Sequence, residues 1–255
     1  MAMKLSTRKR PERSDKMLKE SQLKFSERVF DDNTIKTLKY LMNNEIFRSL
    51  DYPIQHGKEA AVYRGTAIHD GKEEFVAVKI FKLEGPSFQK KLQYLEGDKR
   101  FDRPRGKRHM VKIFAKKEFA NLKICQEAGV RAPRPIKHRD NVVVMEFLGE
   151  KGVPSGLLKN HEMKSPKKIL GEVLEDMKKM HGAKLVHVDL SEFNIIMHKE
   201  MPYIIDVGQA VLLHHPQSEE FLRRDLLNVL KFFEKNGARM DFDEALKYIR
   251  GENVN

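Results

Sequence analysis

One cysteine, Cys125, in 255 residues excludes a disulfide framework within the chain and suits a reducing compartment. Long apolar runs are also missing. The longest, residues 142–148, is broken by Glu146 and is far too short to cross a bilayer. Residues 1–13 are basic and hold no apolar stretch, so they do not read as a secretory signal. No internal repeat is present. A cytoplasmic protein without a membrane partner is expected.

Charge is plentiful but uneven. The chain has a formal net charge of +12, with 34% charged and 40% hydrophobic residues, which suits a heavily charged globular protein with enough length for a core. Residues 1–20 carry seven Lys/Arg against three Asp/Glu, and residues 84–117 carry eleven against four. Nearly all of the excess therefore lies in two segments. Localised basic surface of this kind suits a phosphate-rich partner such as RNA, although charged surfaces also serve simply for solvation.

Hydrophobic spacing divides the chain into elements. Ile35, Leu38, Leu41, Met42 and Ile46 recur at helical intervals, with Asn33 as the expected N-cap. A β-rich region follows over 54–66, and residues 74–81 alternate like a strand after a hairpin turn at His69-Asp70-Gly71-Lys72. Residues 84–108, with three glycines and two prolines among many charges, read as a long mobile loop. Helical spacing resumes over 111–127, a strand is expected at 142–145, and a Gly/Pro-rich connector spans 149–156. The second half predicts helices at 166–180, 219–234 and 243–250, and a hairpin pairing 195–197 with 203–205. The expected fold is α+β and two-lobed. It comprises a basic extension (1–30), an antiparallel β-sheet N-lobe with an extra helix and a flexible basic loop at 84–110 (31–148), and a mainly helical, truncated C-lobe (149–255).

The chemistry concentrates in His187-Val188-Asp189-Leu190-Ser191-Glu192-Phe193-Asn194, followed by Asp206-Val207-Gly208. An Asp, an Asn five residues later and a second Asp after a short hairpin are spaced as in a nucleotide-dependent phosphotransferase. Asp189 would orient the attacking hydroxyl, while Asn194 and Asp206 would hold magnesium or manganese, hard cations that favour oxygen donors. Lys79, at the end of Val76-Ala77-Val78-Lys79, is placed to neutralise ATP phosphates, with Glu118 as its expected partner. Gly57, Lys58, Glu59, Ala60 and Val62 occupy the position of a phosphate-covering loop, but with one glycine where G-x-G-x-x-G is usual. Met145, Glu146 and Leu148 fall where a kinase hinge binds adenine, with Glu146 and Glu150 expected to be solvated. His214 and His215 lack further ligands at regular spacing and read as surface residues. A small-molecule phosphotransferase of the aminoglycoside or choline type shares the Asp/Asn/Asp core, but it needs a larger C-lobe than the 49 residues after Asp206 offer.

Together these motifs resemble the RIO family of atypical protein kinases, and specifically its first subfamily in a compact archaeal form. The resemblance is carried by Gly57-Lys58-Glu59-Ala60, by Lys116-Lys117-Glu118-Phe119 with Asn121-Leu122, by the Asp189 and Asp206 motifs running on to Gln209-Ala210-Val211, by His215-Pro216, and by Phe221-Leu222-Arg223-Arg224-Asp225. It covers roughly residues 30–240 and its combination of motifs is specific. Residues 1–50 are too short for the winged helix of the second subfamily plus the extra helix.

The resemblance implies ATP and Mg²⁺ dependence, serine autophosphorylation and a role in small ribosomal subunit maturation. Asp206 would then also be a possible phosphoryl acceptor in an ATPase cycle, which makes an assembly switch the alternative function. Pre-ribosomal particles or rRNA become the expected partners of the basic segments. Ser87, in the mobile basic loop, is the candidate autophosphorylation site, with Ser191 and the N-terminal serines also available. One departure from the family stands out: Gln55-His56 replace its usual Ser-Thr. Val188 stands where H-R-D kinases have the arginine that commonly receives an activation-loop phosphate, so that switch is not expected here.

Overall fold

The computed structural model describes residues 30–82 and 91–252. Five strands form one antiparallel sheet in the order β1-β2-β3-β5-β4: β1 (Ser49–His56), β2 (Ala60–His69), β3 (Lys72–Phe81), β4 (Pro135–Arg139) and β5 (Val142–Glu146). Helix α1 (Asp32–Asn43) packs on one face, and α2 (Lys107–Glu127) on the other. Below the sheet lie α3 (Pro166–Gly182), α4 (Ser218–Lys235) and α5 (Phe242–Arg250). Three small antiparallel pairs complete the fold: β6 (Gly149–Glu150) with β7 (Val153–Pro154), β8 (Leu185–Val186) with β11 (Val211–Leu212), and β9 (Ile195–His198) with β10 (Met201–Ile204). This is the expected α+β kinase-like fold. No helix among the described residues is long and apolar enough to cross a membrane.

The two-residue period of β3 sets the position of the site. Val76, Val78 and Ile80 face α1 and pack with Leu38, Leu41, Phe47, Val142 and Val144. Ala77, Lys79 and Phe81 point the other way, towards α2 and a larger core that continues into the helical half. Lys79 is therefore the polar member of an otherwise apolar row. At the hairpin turn, Asp70 and Gly71 both take positive φ, 49° and 76°, the geometry that two-residue β-turns favour.

Several boundaries differ from the sequence expectations. Asp31, not Asn33, caps α1: its carboxylate accepts from the Asn33 and Thr34 amides at 3.0 and 3.1 Å. The helix thus starts one residue before Asn33 and ends at Asn43, so Ile46 lies beyond it. Asp31→Ala is expected to cost about 1 kcal/mol of stability, read as a lowered thermal midpoint. The β region begins at Ser49, ahead of Ile54. Helix α2 starts at Lys107, four residues earlier than its apolar pattern, because Lys107, Arg108 and His109 at its start are polar. Within the basic loop, Leu92–Leu95 forms a 3-10 turn, and Asp98 is buried against Arg100 at 2.7 Å. His215 is also buried, its Nε2 2.8 Å from the Gln93 carbonyl; His214 Nε2 lies 3.0 Å from the carbonyl of Gly97. The histidine pair is thus a fastening for the loop and not plain surface. Ser87 and residues 1–29 lie outside the described residues.

Candidate active site

Between sheet and helices lies a cavity of about 530 Å³, of a size that suits a nucleotide. Its walls include Gly57, Lys58, Glu59, Ala60 and Val62 from the β1–β2 turn and strand β2, Lys79 from β3, and Glu118 from α2. Met145, Glu146 and Leu148 line the edge after β5, and Asn194 and Asp206 close the far end. Asp189 is not among the lining residues. It is tied to them through Asn194, whose Nδ2 donates to the Asp189 carbonyl at 2.7 Å and reaches its carboxylate at 3.4 Å.

Lys79 joins the two halves. Its Nζ donates to Glu118 Oε1 at 2.7 Å and to Asp206 Oδ1 at 2.8 Å. Burial opposes the ammonium, but the two carboxylates outweigh it and hold Lys79 above the ordinary lysine range. The Lys79 charge in turn holds the Asp206 carboxyl down to about 2, whereas burial pushes Glu118 upward against the lysine's pull. Asp206 thus stays ionised at any working pH, and its side chain remains 47% exposed to the cavity. Burial also raises Asp189, with partial relief from His187.

The covering loop is tight despite its single glycine. The Gly57 amide donates to the Ala60 carbonyl at 2.9 Å, and a Cβ on Gly57 would come within 3.1 Å of that oxygen. Glu146 is half-buried: its carboxylate accepts from the Arg134 amide at 3.1 Å, so the expected solvation is partly replaced by a main-chain bond. Glu150 is exposed.

Spacing alone did not reveal three supporting residues. Lys117 is fully buried and donates to the carbonyls of Gly208, at 3.4 Å, and Ala210. Burial lowers its pKa to about 7. Asn121, one turn further along α2, donates to the carbonyls of Val207 at 2.8 Å and Ala210 at 3.2 Å. Asp225, buried in α4, accepts from the amides of Val188 at 2.7 Å and Leu190 at 2.9 Å, the two residues flanking Asp189. Val188 has φ 80°, a left-handed conformation that is costly for a β-branched residue. Arg224 secures the other side of the same residue by donating to the Val188 carbonyl. The motifs that carry the family resemblance include Lys117, Asn121 and Asp225, but the sequence assigns them no role.

The donor set suits a hard divalent cation: a carboxylate held ionised at Asp206, and at Asn194 the amide oxygen left over once Nδ2 has bonded to Asp189. The buried Glu118 Oε2 has no hydrogen-bond partner, and the Cβ of any larger residue at position 208 would lie 3.4 Å from it. The site residues therefore fit an ATP–metal complex.

Comparison with known proteins gives the same direction. The RIO domain matches residues 61–245. The RIO-type serine/threonine-protein kinase Rio1 of Haloferax volcanii is 40% identical over 232 residues, covering 91% of this chain and 79% of its own. The Rio1 kinase of Thermoplasma acidophilum is 40% identical over 179 residues, 70% of this chain and 95% of its own. The serine/threonine-protein kinase rio1 of Schizosaccharomyces pombe is 37% identical over 98% of this chain, which spans about half (51%) of that longer relative. Among solved structures, the Chaetomium thermophilum Rio2 kinase in its ADP/Mg²⁺-phosphoaspartate complex superposes with a TM-score of 0.66 at 22% identity, over 84% of this chain and 66% of that one. At that identity the likeness supports the fold. With a domain match over most of its length and 40% identity to archaeal Rio1 kinases, the chain belongs to the RIO family, in its Rio1 group of serine/threonine-protein kinases.

Proposed function

We propose that this protein transfers the γ-phosphate of ATP to serine hydroxyls, on itself or on a protein substrate. The observation that carries this reading is the chain of contacts Glu118–Lys79–Asp206 along one cavity, with Asn194 and Asp189 joined at its end. Lys79 neutralises the phosphates and Glu118 fixes its ammonium. Asn194 and Asp206 hold Mg²⁺ or Mn²⁺, which would neutralise phosphate charge and align the terminal phosphate. Asp189 orients the acceptor hydroxyl and takes its proton. Gly57, Lys58, Glu59, Ala60 and Val62 cover the phosphates, while Met145, Glu146 and Leu148 receive the adenine. The lobes meet at the 149–156 connector, between residues 31–148 and 149–255, with residues 1–30 as a basic extension. Ser87 is the proposed autophosphorylation site.

Radiolabel transfer from ATP tests this. Asp189→Ala should lose at least about a hundredfold in transfer while keeping its circular dichroism spectrum, as expected when a positioned acid–base group is removed. Transfer at wild-type rate would sink the assignment.

A second reading is an ATPase switch, with Asp206 itself taking the phosphate. It is favoured by the exposure of the Asp206 carboxylate to the cavity and by the phosphoaspartate named for the Chaetomium Rio2 structure. The cell would use either activity in the cytoplasm, in small ribosomal subunit maturation. A basic cleft of about 630 Å³ supports such a phosphate-rich partner. It is lined by Lys36, Arg105, Arg108, Lys112 and Arg139, with only Asp31 and Asp140 as counter-charges.

A further inference from the structure

Besides Lys58 on the covering loop and Lys79 on β3, a third lysine lines the nucleotide cavity. Lys91 directly precedes the 3-10 turn Leu92–Leu95, and this turn is anchored at several points. Tyr94 stands edge-on to Phe221 at 5.9 Å, and the His215–Gln93 and His214–Gly97 contacts bind the same stretch to the segment after β11. From that anchorage Lys91 lines the cavity, with its side chain only 12% exposed. Its ammonium lies 5.5 Å from the Phe114 ring centroid and pairs with Glu59 on the covering loop.

An ammonium has three N–H donors, and Lys79 has committed two of them to Glu118 and Asp206. One donor remains for a ligand that carries several negative charges. A triphosphate in this cavity would also meet the Glu59 carboxylate, which repels it, beside a lysine that attracts it. Building on the ATP-dependent reading above, we infer that Lys91 is a further catalytic residue that exchanges Glu59 for the terminal phosphate of ATP. During transfer the acceptor oxygen bonds to the γ-phosphorus as the bond to the β,γ-bridging oxygen breaks. The electron pair leaves with ADP and the hydroxyl proton passes to Asp189. Lys91 takes no part in these bond changes; it adds positive charge beside the oxygens of the moving group.

The test compares ATP with ADP, titrated calorimetrically in Mg²⁺ against the full chain. Lys91→Met should weaken ATP binding about tenfold, the equivalent of one lost charge contact, and leave ADP binding within about twofold. Lys91→Arg should recover most of the ATP affinity, and Glu59→Gln should tighten it. Unchanged ATP binding in Lys91→Met overturns the proposal. So does an equal loss for both nucleotides, which would make Lys91 a structural strap, or a weaker ATP complex in Glu59→Gln. If Lys91→Met shows this ATP/ADP contrast but the wild type labels no serine, the protein-kinase reading fails and the role of Lys91 stands.

Discussion

Replacing Asp206 with asparagine is expected to lower phosphate transfer from ATP by about a thousandfold, the scale of several kcal/mol that metal-centred charge stabilisation supplies. The fold should survive. Asp206 has φ 61°, and asparagine tolerates the left-handed region better than other non-glycine residues. Lys79 keeps its bond to Glu118 at 2.7 Å, so no cation is stranded in the cavity. Because the Asp206 carboxyl titrates near 2, the defect should be the same at pH 6 and pH 9. Radiolabel transfer at both pH values, with a thermal melt, checks all three points. Transfer above one-tenth of wild type would remove Asp206 from the metal site.

The second large effect falls on stability. Asp225→Ala deprives the buried amides of Val188 and Leu190 of their acceptor and releases a left-handed valine from its restraint. The expected loss is about 3 kcal/mol, seen as a lower urea midpoint at pH 5. Transfer activity should fall as well, since Asp189 lies between the two amides. The pH dependence has a definite sign. Burial raises the Asp225 carboxyl to about 6, above the ordinary aspartate value near 3.9. Its contribution is therefore full below about pH 4 and declines as pH rises through 6, so the gap between wild type and variant should narrow over that window. A gap that widened with pH would contradict the assignment.

The parts legible in the sequence were those with local spacing. Asp189, Asn194 and Asp206 sit at the ends of a short hairpin, where the chain itself fixes their separation, and Lys79 follows from strand alternation. The hairpin turn at 69–72 and the helices of the second half were readable for the same reason. The missed elements depend on contacts between distant segments. Lys117 meets Gly208 across 91 positions, and His215 meets Gln93 across 122, so no window of sequence contains either pair. The early start of α2 escaped notice because residues such as Lys107 and Arg108 carry helix propensity but no apolar periodicity.

Helix α2 carries Lys117, Glu118 and Asn121 within little more than one turn. Glu118 grips Lys79, while its neighbours grip the carbonyls of 207–210. Protein kinases that are turned off by swinging the equivalent helix outward break a single ion pair. Here the same movement would pull residues 206–210 away with it, and would strand a lysine and an amide in the apolar core. The outward swing therefore costs more here than the loss of one ion pair, because buried polar groups lose their partners as well. An outward swing of α2 and a displacement of residues 206–210 would thus be one event, not two.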